Sequence, residues 1–450
     1  MALCWREFLA QRRKDAKHCA FKGFSLRLGA FAREIFSCAD LARVQSHMNN
    51  YDVTIIGAGL AGLQCARLLA RQGVSVLLVD RKNALDQKIH TTGIFVRRTL
   101  VDFDIPDDCL GPPIRHVTLY SPALRPLDLI SQHDEFRIGR MGQLYERYLQ
   151  QCQHAGVHWS PNTSYLGHTE NNGGLTVQLG ANSSTGSSTH AITTRYLIAG
   201  DGARSRVARD LELDRNSEWI VGVESVFEGA KVDGPPRLLC FLDPNLAPGY
   251  IAWIAHDGEE THLGVGGYAD RFDPLSALEA FRARVANLID LRHAKQIERR
   301  AGYIPVGGVL RNIANKNGLL IGDAAGAVSP LTAGGLDPCM RLSAFAAKVV
   351  VEYLSTGDPR LLAAYSGNLF RSRFASRVWA RRIASTVRKP KLLELGCATL
   401  RVPLLNRLAR HVFFGRGSFP DVEMPDAVCG SPHCAVAVAG PQFSVKSKSD

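Results

Sequence analysis

The apolar positions of the chain first gather in two short runs around a glycine cluster. Tyr51-Asp52-Val53-Thr54-Ile55-Ile56 reads as a buried strand and leads into Gly57-Ala58-Gly59-Leu60-Ala61-Gly62. Leu60, Leu63, Leu68 and Leu69 then fall near helical spacing, and Gly73 closes the helix. A second apolar run, Val74–Val79, ends in Asp80. This is a complete β-α-β unit.

Further along, His116–Tyr120 and Leu127–Ile130 read as a hairpin split by a proline-containing turn. A helix is expected after Gly139-Arg140. Leu175–Leu179 reads as a strand, the polar run 182–189 as a surface loop, and Tyr196–Ala199 as a short buried strand. Residues ~219–268 alternate with turn signals at Asp233-Gly234 and Asp257-Gly258, the pattern of an antiparallel sheet. A helix near Leu275–Leu288 and a strand at Gly318–Ile321 follow. From Gly335 the pattern is helical, and no internal repeat is visible.

Composition changes this picture in one respect. The chain of 450 residues is 46% apolar and 21% charged, ordinary globular usage. Its net charge of +12 is uneven: residues 1–48 carry +5, 368–416 carry +11, 417–450 carry −2 and the body −2. The basic pI therefore describes appendages and not the core. Residues 1–48 read as an extension upstream of the fold and dispensable to it, with a transit segment and a helix as the other readings. No run approaches ~18 consecutive apolar residues, so no membrane-spanning helix is expected. Eleven scattered cysteines fit free thiols in a cytoplasmic setting. Cys429 and Cys434 bracket His433 without a second ligand pair, so no metal site is expected.

The glycine cluster has the context that gives GxGxxG meaning: a strand before it, a helix after it, and an acid 23 residues past the first glycine. Such a turn brings backbone N–H groups to a pyrophosphate at a helix N-terminus, and Asp80 can take the hydrogens of a ribose diol. Two more motifs end strands in an aspartate among glycines. They are Tyr196-Leu197-Ile198-Ala199-Gly200-Asp201-Gly202 and Gly318-Leu319-Leu320-Ile321-Gly322-Asp323-Ala324-Ala325-Gly326. The second runs on through Ser329-Pro330-Leu331-Thr332-Ala333-Gly334-Gly335 to a helix whose N-terminus would suit an anionic ring.

These three motifs, in this order, resemble the FAD-dependent oxidoreductases built like para-hydroxybenzoate hydroxylase. Within that group the chain is most similar to the geranylgeranyl reductase family. The similarity includes Ser329-Pro330-Leu331-Thr332, Gly249-Tyr250-Ile251-Ala252-Trp253 and Leu263-Gly264-Val265-Gly266. It departs where the family has Cys-Gly and this chain has Lys88-Ile89-His90-Thr91-Thr92-Gly93. It also departs at Ala333, where a glycine is usual, and at Ile254-Ala255, where Phe-Pro is usual. The Trp-x-Trp-x-Ile-Pro run of flavin halogenases is absent.

The resemblance implies an α/β fold, with a Rossmann-type FAD-binding domain, an inserted antiparallel substrate sheet and a helical C-terminal region. The domains would be an extension at 1–48, the FAD domain at 49–350 with its sheet from about 111–135 and 219–310, a basic helical region at 351–418 and a tail at 419–450. It assigns Gly57, Ala58, Gly59, Leu60, Ala61, Gly62, Asp80, Arg81, Arg140, Asp201, Gly202, Asp323, Gly334 and Gly335 to FAD. It places His90 where the family has a thiol, as a proton donor. Tyr250 and Trp253 would face substrate, although at their spacing they fall on opposite faces of an ideal strand unless a bulge intervenes.

The implied activity is reduction of a double bond in a hydrophobic, prenyl-type substrate by hydride from reduced FAD. Hydroxylation with NAD(P)H and oxygen is the alternative, as is a flavoprotein without net redox chemistry. With no second GxGxxG unit, NAD(P)H would dock transiently as electron donor. The basic segment holds Arg371, Arg373, Arg377, Arg381, Arg382, Arg388, Lys389 and Lys391, interleaved with Leu369, Trp379, Ile383 and Val387. Peripheral contact with an anionic membrane, a phosphate-bearing substrate and a solvated lid are its readings. No nucleic-acid partner is expected, and the oligomeric state stays open.

Overall fold

The chain alternates strands and helices as follows. It opens with β1 (Asn50–Ile56), α1 (Leu60–Ala70) and β2 (Val76–Val79), then β3 (His116–Tyr120), β4 (Pro126–Ile130) and α2 (Met141–His154). Next come β5 (His158–Ser160), β6 (Thr163–Asn171), β7 (Gly174–Ser183) and β8 (Gly186–Ala199). The middle of the chain supplies β9 (Trp219–Glu228), β10 (Arg237–Phe241), β11 (Ala252–His256), β12 (Glu260–Gly267), α3 (Pro274–Arg284), β13 (Lys295–Pro305) and β14 (Gly318–Leu320). The C-terminal helices are α4 (Leu336–Thr356), α5 (Gly367–Thr386), α6 (Pro390–Thr399) and α7 (Pro403–Phe414). This computed structural model describes residues 50–183 and 186–415, so the expectations for 1–48 and 419–450, and for Cys429, His433 and Cys434, lie outside the described residues.

Two sheets organise these elements. The first runs β5-β2-β1-β8-β7-β6, with β14 also paired to β8. β1 and β2 pair in parallel from Val53↔Val76 to Ile56↔Val79. Val53, Ile55, Leu78 and Val79 are fully buried, as a near-continuous apolar run between helices requires. α1 buries almost its whole circumference, from Leu60 to Leu69. Gly73 ends it with φ +79°, a conformation glycine adopts without a Cβ penalty.

The second sheet runs β13-β9-β12-β11-β10-β3-β4. One face is apolar: Val223, Leu239, Phe241, Ile254, Leu263 and Val265 pack with Phe281 of α3. Asp273 caps α3 through the Ser276 N–H at 2.9 Å, with Pro274 at its first position. The opposite face differs in chemistry. Register puts Glu224 opposite both Gly264 and Arg300, and Trp253 opposite Gly264. His262 lies two residues from Gly264 and so shares that face.

Two expectations are corrected. The described residues of the polar run expected as a loop are strand: 182, 183 and 186–189 lie in one antiparallel ladder from Leu175↔Thr194 to Ser183↔Gly186. Buried Val177 and Ile192 carry its register, and the polar residues follow as a two-sided ribbon. The buried stretch Tyr196–Ala199 is accordingly the end of a 14-residue strand. Residues 295–305, inside the stretch expected to supply the substrate sheet, form its edge strand. Its charged side chains blurred the alternation.

A small sheet of Ile94–Val96, Phe136–Gly139 and Leu110–Ile114 anchors the segment after β2, with the Gly139 N–H donating to the Gly93 carbonyl at 2.8 Å. Along α5, Phe370 and Phe374 are buried, and Phe370 packs its ring on Phe345 and Tyr365. Glu394 of α6 accepts the Ala123 N–H in the β3–β4 turn at 3.0 Å.

Candidate active site

The three glycine-aspartate motifs meet at the C-terminal ends of β1, β8 and β14. The Gly200 N–H donates to the Ile56 carbonyl at 2.8 Å, and the Ile321 N–H to the Ala199 carbonyl at 2.9 Å. Gly57 has φ +104°, and a Cβ there would stand 2.2 Å from the Gly200 oxygen, so no other residue fits this crossing. Ligands of open α/β sheets bind at this edge.

The groups around that edge fit an FAD. The N-terminus of α1 has no side-chain cap, and space is open in front of Gly59, which leaves N–H donors for a pyrophosphate. Asp80 is braced by the Ala58 N–H at 2.7 Å and the Lys82 N–H at 2.8 Å, while Arg81 beside it is exposed. Asp201 accepts the Arg206 and Val207 N–H groups on Oδ2, and its buried Oδ1 has no partner among the described residues. Burial raises its titration, although local hydrogen bonds oppose the rise. Gly202 follows with φ +88° and open space before it. Asp323 is pushed up to about 6 by burial. A free carboxylate so placed is suited to accept hydroxyl donors.

Gly335 caps α4, and the Gly334 carbonyl accepts the Ser329 N–H at 3.0 Å. Ala333 stands between them and Thr332 at φ +52°. The glycine usual in the family thus has a backbone reason, since alanine is strained in this region.

The substrate-facing candidates lie as follows. His90 is exposed, and its Nδ1 donates to the Ala301 carbonyl at 2.7 Å. Its neighbour Thr92, not singled out from sequence, reaches the buried face instead: Oγ1 donates to Glu224 Oε2 at 2.6 Å. Glu224 Oε1 meets His262 Nδ1 at 3.3 Å and Arg300 Nη1 at 3.6 Å. His262 Nε2 meets Glu260 Oε2 at 3.2 Å. Burial opposes charge on both Glu224 and His262. Burial is the largest single influence on each, and only the partners together outweigh it: their mutual hydrogen bond and charge, with Arg300 and Thr92 for Glu224 and Glu260 for His262. The carboxyl therefore titrates below its usual range and the imidazole above its own. The result is a buried chain, Thr92–Glu224–His262–Glu260, that opens toward solvent at half-buried Glu260. No motif marks it, because its members come from one loop and two strands and meet only through tertiary contact and sheet register.

Arg140 closes the outer end. Its guanidinium holds Asp257 at 2.8 Å, Glu259 at 2.6 Å and Glu260 at 3.3 Å. Three carboxylates at the β11–β12 turn and the start of β12 thus hold the guanidinium that the resemblance assigned to FAD.

Tyr250 and Trp253 do not fall on opposite faces. β11 begins at Ala252, so strand alternation does not govern Tyr250, and the two rings meet edge to face with centroids 6.3 Å apart. Gly264 makes room: a Cβ there would lie 2.3 Å from the Trp253 ring. Trp253 Nε1 donates to Glu224 at 3.2 Å, and the Tyr250 hydroxyl donates to the Thr332 carbonyl at 2.7 Å. The aromatic pair thereby joins the buried acid chain to the 329–335 loop.

Comparison with known proteins agrees with this geometry. The family described as FAD binding domain matches residues 50–101 and 141–381. A digeranylgeranylglycerophospholipid reductase of Methanocella arvoryzae is 24% identical over 321 residues, 69% of this chain and 80% of that protein. A geranylgeranyl bacteriochlorophyll reductase-like protein from Thermoplasma acidophilum has the same fold. Its TM-score is 0.71 at 19% identity, covering 82% of this chain and 98% of that one. The p-nitrophenol 4-monooxygenase of Pseudomonas putida also shares it, with a TM-score of 0.61 at 16% identity over 82% of this chain and all of that one.

Proposed function

Since the chain belongs to the FAD binding domain family and is an FAD-dependent oxidoreductase, we propose that it saturates a double bond of a hydrophobic, prenyl-type substrate. The observation that carries this reading is the buried acid chain beneath the aromatic pair. Saturating a C=C bond needs a hydride on one carbon and a proton on its neighbour. FAD bound at the edge of the first sheet supplies the hydride. Once Glu224 holds a proton its hydrogen bond with Thr92 reverses, and the Thr92 hydroxyl then gives its own hydrogen to the neighbouring carbon as it takes the one from Glu224. Glu224 is served in turn by the His262 imidazolium, which Glu260 connects to solvent. Trp253 and Tyr250 supply the apolar wall, which keeps water from the reacting carbon. His90, exposed and bonded to a backbone carbonyl, serves to hold the loop on β13.

NAD(P)H docks transiently to reload the cofactor, since no second glycine-rich β-α-β unit is present for a resident one. The enzyme meets its substrate at a membrane surface. Support comes from Trp379 and Ile383 of α5 and Leu392 and Leu395 of α6, all exposed beside Arg388, Lys389 and Lys391. Among the described residues no helix is long and apolar enough to cross a membrane.

The test is product analysis after turnover of a prenyl lipid under nitrogen and under oxygen. The expected product gains two hydrogens under both gases. A product that forms only under oxygen and carries an added oxygen atom makes the chain a hydroxylase instead.

A further inference from the structure

Arg381 is the exception among the buried arginines. It lies on α5, is only 4% exposed, and spends Nη1 on the Pro330 carbonyl at 3.2 Å. Its Nε and Nη2 are buried with no hydrogen-bond partner among the described residues. Arg300, equally buried, has Glu224 and Glu298, and Arg341 has Asp102 and Asp337. Among the described residues Arg67 leaves only Nε without a hydrogen-bond partner, and its two Nη atoms have the amides of Gln64 and Gln151, with the Tyr148 ring beneath. Arg381 has the Tyr268 ring, 5.3 Å from its carbon, and no carboxylate. An uncompensated buried cation is costly, and side chains as flexible as arginine escape that cost by turning to solvent. Trp379 and Ile383, on the same helix, are 64% and 63% exposed. The helix thus turns this cation inward and leaves apolar side chains outside.

The chemistry of the unpartnered pair is specific. Nε and Nη2 form one edge of the guanidinium, the fork that grips a phosphate or carboxylate bidentately. The fork belongs to the substrate side of the molecule. Pro330 lies in the 329–335 loop, to which the Tyr250 hydroxyl is also bonded, and Tyr250 is close enough for its titration to feel the Arg381 charge. One turn earlier Arg377 donates to Ser329 Oγ at 3.3 Å, so a second cation stands at the same loop.

We propose that Arg381 binds the anionic, phosphate-type head group of the substrate through Nε and Nη2, while the apolar chain extends toward Tyr250 and Trp253. This rests on the prenyl reading above and adds a charged head to it. The arginine expected on the membrane face is thereby a recognition residue inside the molecule.

The test is titration of the FAD-loaded full chain with geranylgeranyl diphosphate, geranylgeraniol and inorganic diphosphate. Wild type is compared with Arg381→Gln, Arg381→Met and, as control, the exposed neighbour Arg382→Gln. In Arg381→Gln both diphosphates should bind roughly ten- to a hundredfold more weakly, from the loss of a charge-assisted bidentate contact. The alcohol should bind all forms alike, Arg382→Gln should match wild type, and inorganic diphosphate should compete with geranylgeranyl diphosphate. Equal diphosphate affinity in wild type and Arg381→Gln overturns the assignment. Non-competitive binding of inorganic diphosphate overturns it too, by making this a site for free anion. Loss of FAD from Arg381→Gln would give the guanidinium to the cofactor, which also overturns it. If only inorganic diphosphate binds, and needs Arg381, the anion site stands and the prenyl reading falls. Thermal melting in anion-free buffer guards against a folding artefact: Arg381→Met should melt no lower than wild type, because it removes an unpaired buried charge. A marked drop would mean the guanidinium is structural.

Discussion

Thr92 Oγ1 lies 2.6 Å from Glu224 Oε2, joining the loop after the cofactor-binding β-α-β unit to β9 of the substrate sheet. If this contact passes the proton, Glu224→Gln keeps the shape and breaks the relay. Reoxidation of reduced enzyme by substrate should slow by about 10²–10⁴-fold. FAD content and the rate of flavin reduction by NAD(P)H should stay unchanged. A rate within about twofold of wild type, read against the same general acid–base range, would place the proton source elsewhere.

The His262 imidazolium gives a stability signature with a defined sign. Its folded titration point lies above the unfolded 6.5, because Glu224 and Glu260 outweigh the burial that opposes its charge. Arg300, two strands away across β9, works against it. The contribution is therefore full below about 6.5 and is lost as pH rises through the folded value. Denaturant unfolding of wild type and His262→Gln between pH 6 and pH 9 measures it. The stability gap should be largest at the acid end and shrink toward the alkaline end. A gap that grows with pH would show that the buried ring is neutral.

Asp323 shifts stability in the same direction with pH, through a buried charge that is penalised and not one that is favoured. Burial alone lifts its carboxyl to about 6, above the unfolded 3.8. Its stability contribution is present below 3.8 and lost as pH passes 6. Asp323→Asn apoprotein should therefore be at least as stable as wild type at pH 8. Its FAD affinity should fall roughly ten- to a hundredfold, the value of one charge-assisted hydrogen bond. Apoprotein melting and flavin titration check the two halves, and undiminished FAD affinity would remove Asp323 from the cofactor site.

The outward apolar side chains of α5 predict lipid contact. Trp379→Ser with Ile383→Ser should reduce flotation with anionic vesicles at low salt and leave soluble turnover intact. High salt should weaken wild-type flotation, because the lysine and arginine part of the attraction is screened. Equal flotation of wild type and variant would take these residues off the membrane.

Much of this was legible in the sequence where chemistry and local pattern coincide. Gly57 and Gly322, the residue before Asp323, sit in turns that demand glycine, and the hairpin 116–130 announces itself by alternation. The rest depends on register and tertiary contact. Glu224, His262 and Arg300 are isolated residues until β9, β12 and β13 align. Tyr250 escapes the period of two because it precedes its strand. Arg381 looks like one charge among many in a basic segment, and only the packing of α5 shows that it faces inward.

The central claim is that reduced enzyme hands hydride to a double bond, and anaerobic stopped-flow reoxidation tests it most directly. Enzyme reduced by one equivalent of NAD(P)H and mixed with a prenyl diphosphate under nitrogen should regain the oxidised flavin spectrum. One double bond should be lost per flavin reoxidised. A flavin that stays reduced until oxygen is admitted, with every double bond intact, would contradict it.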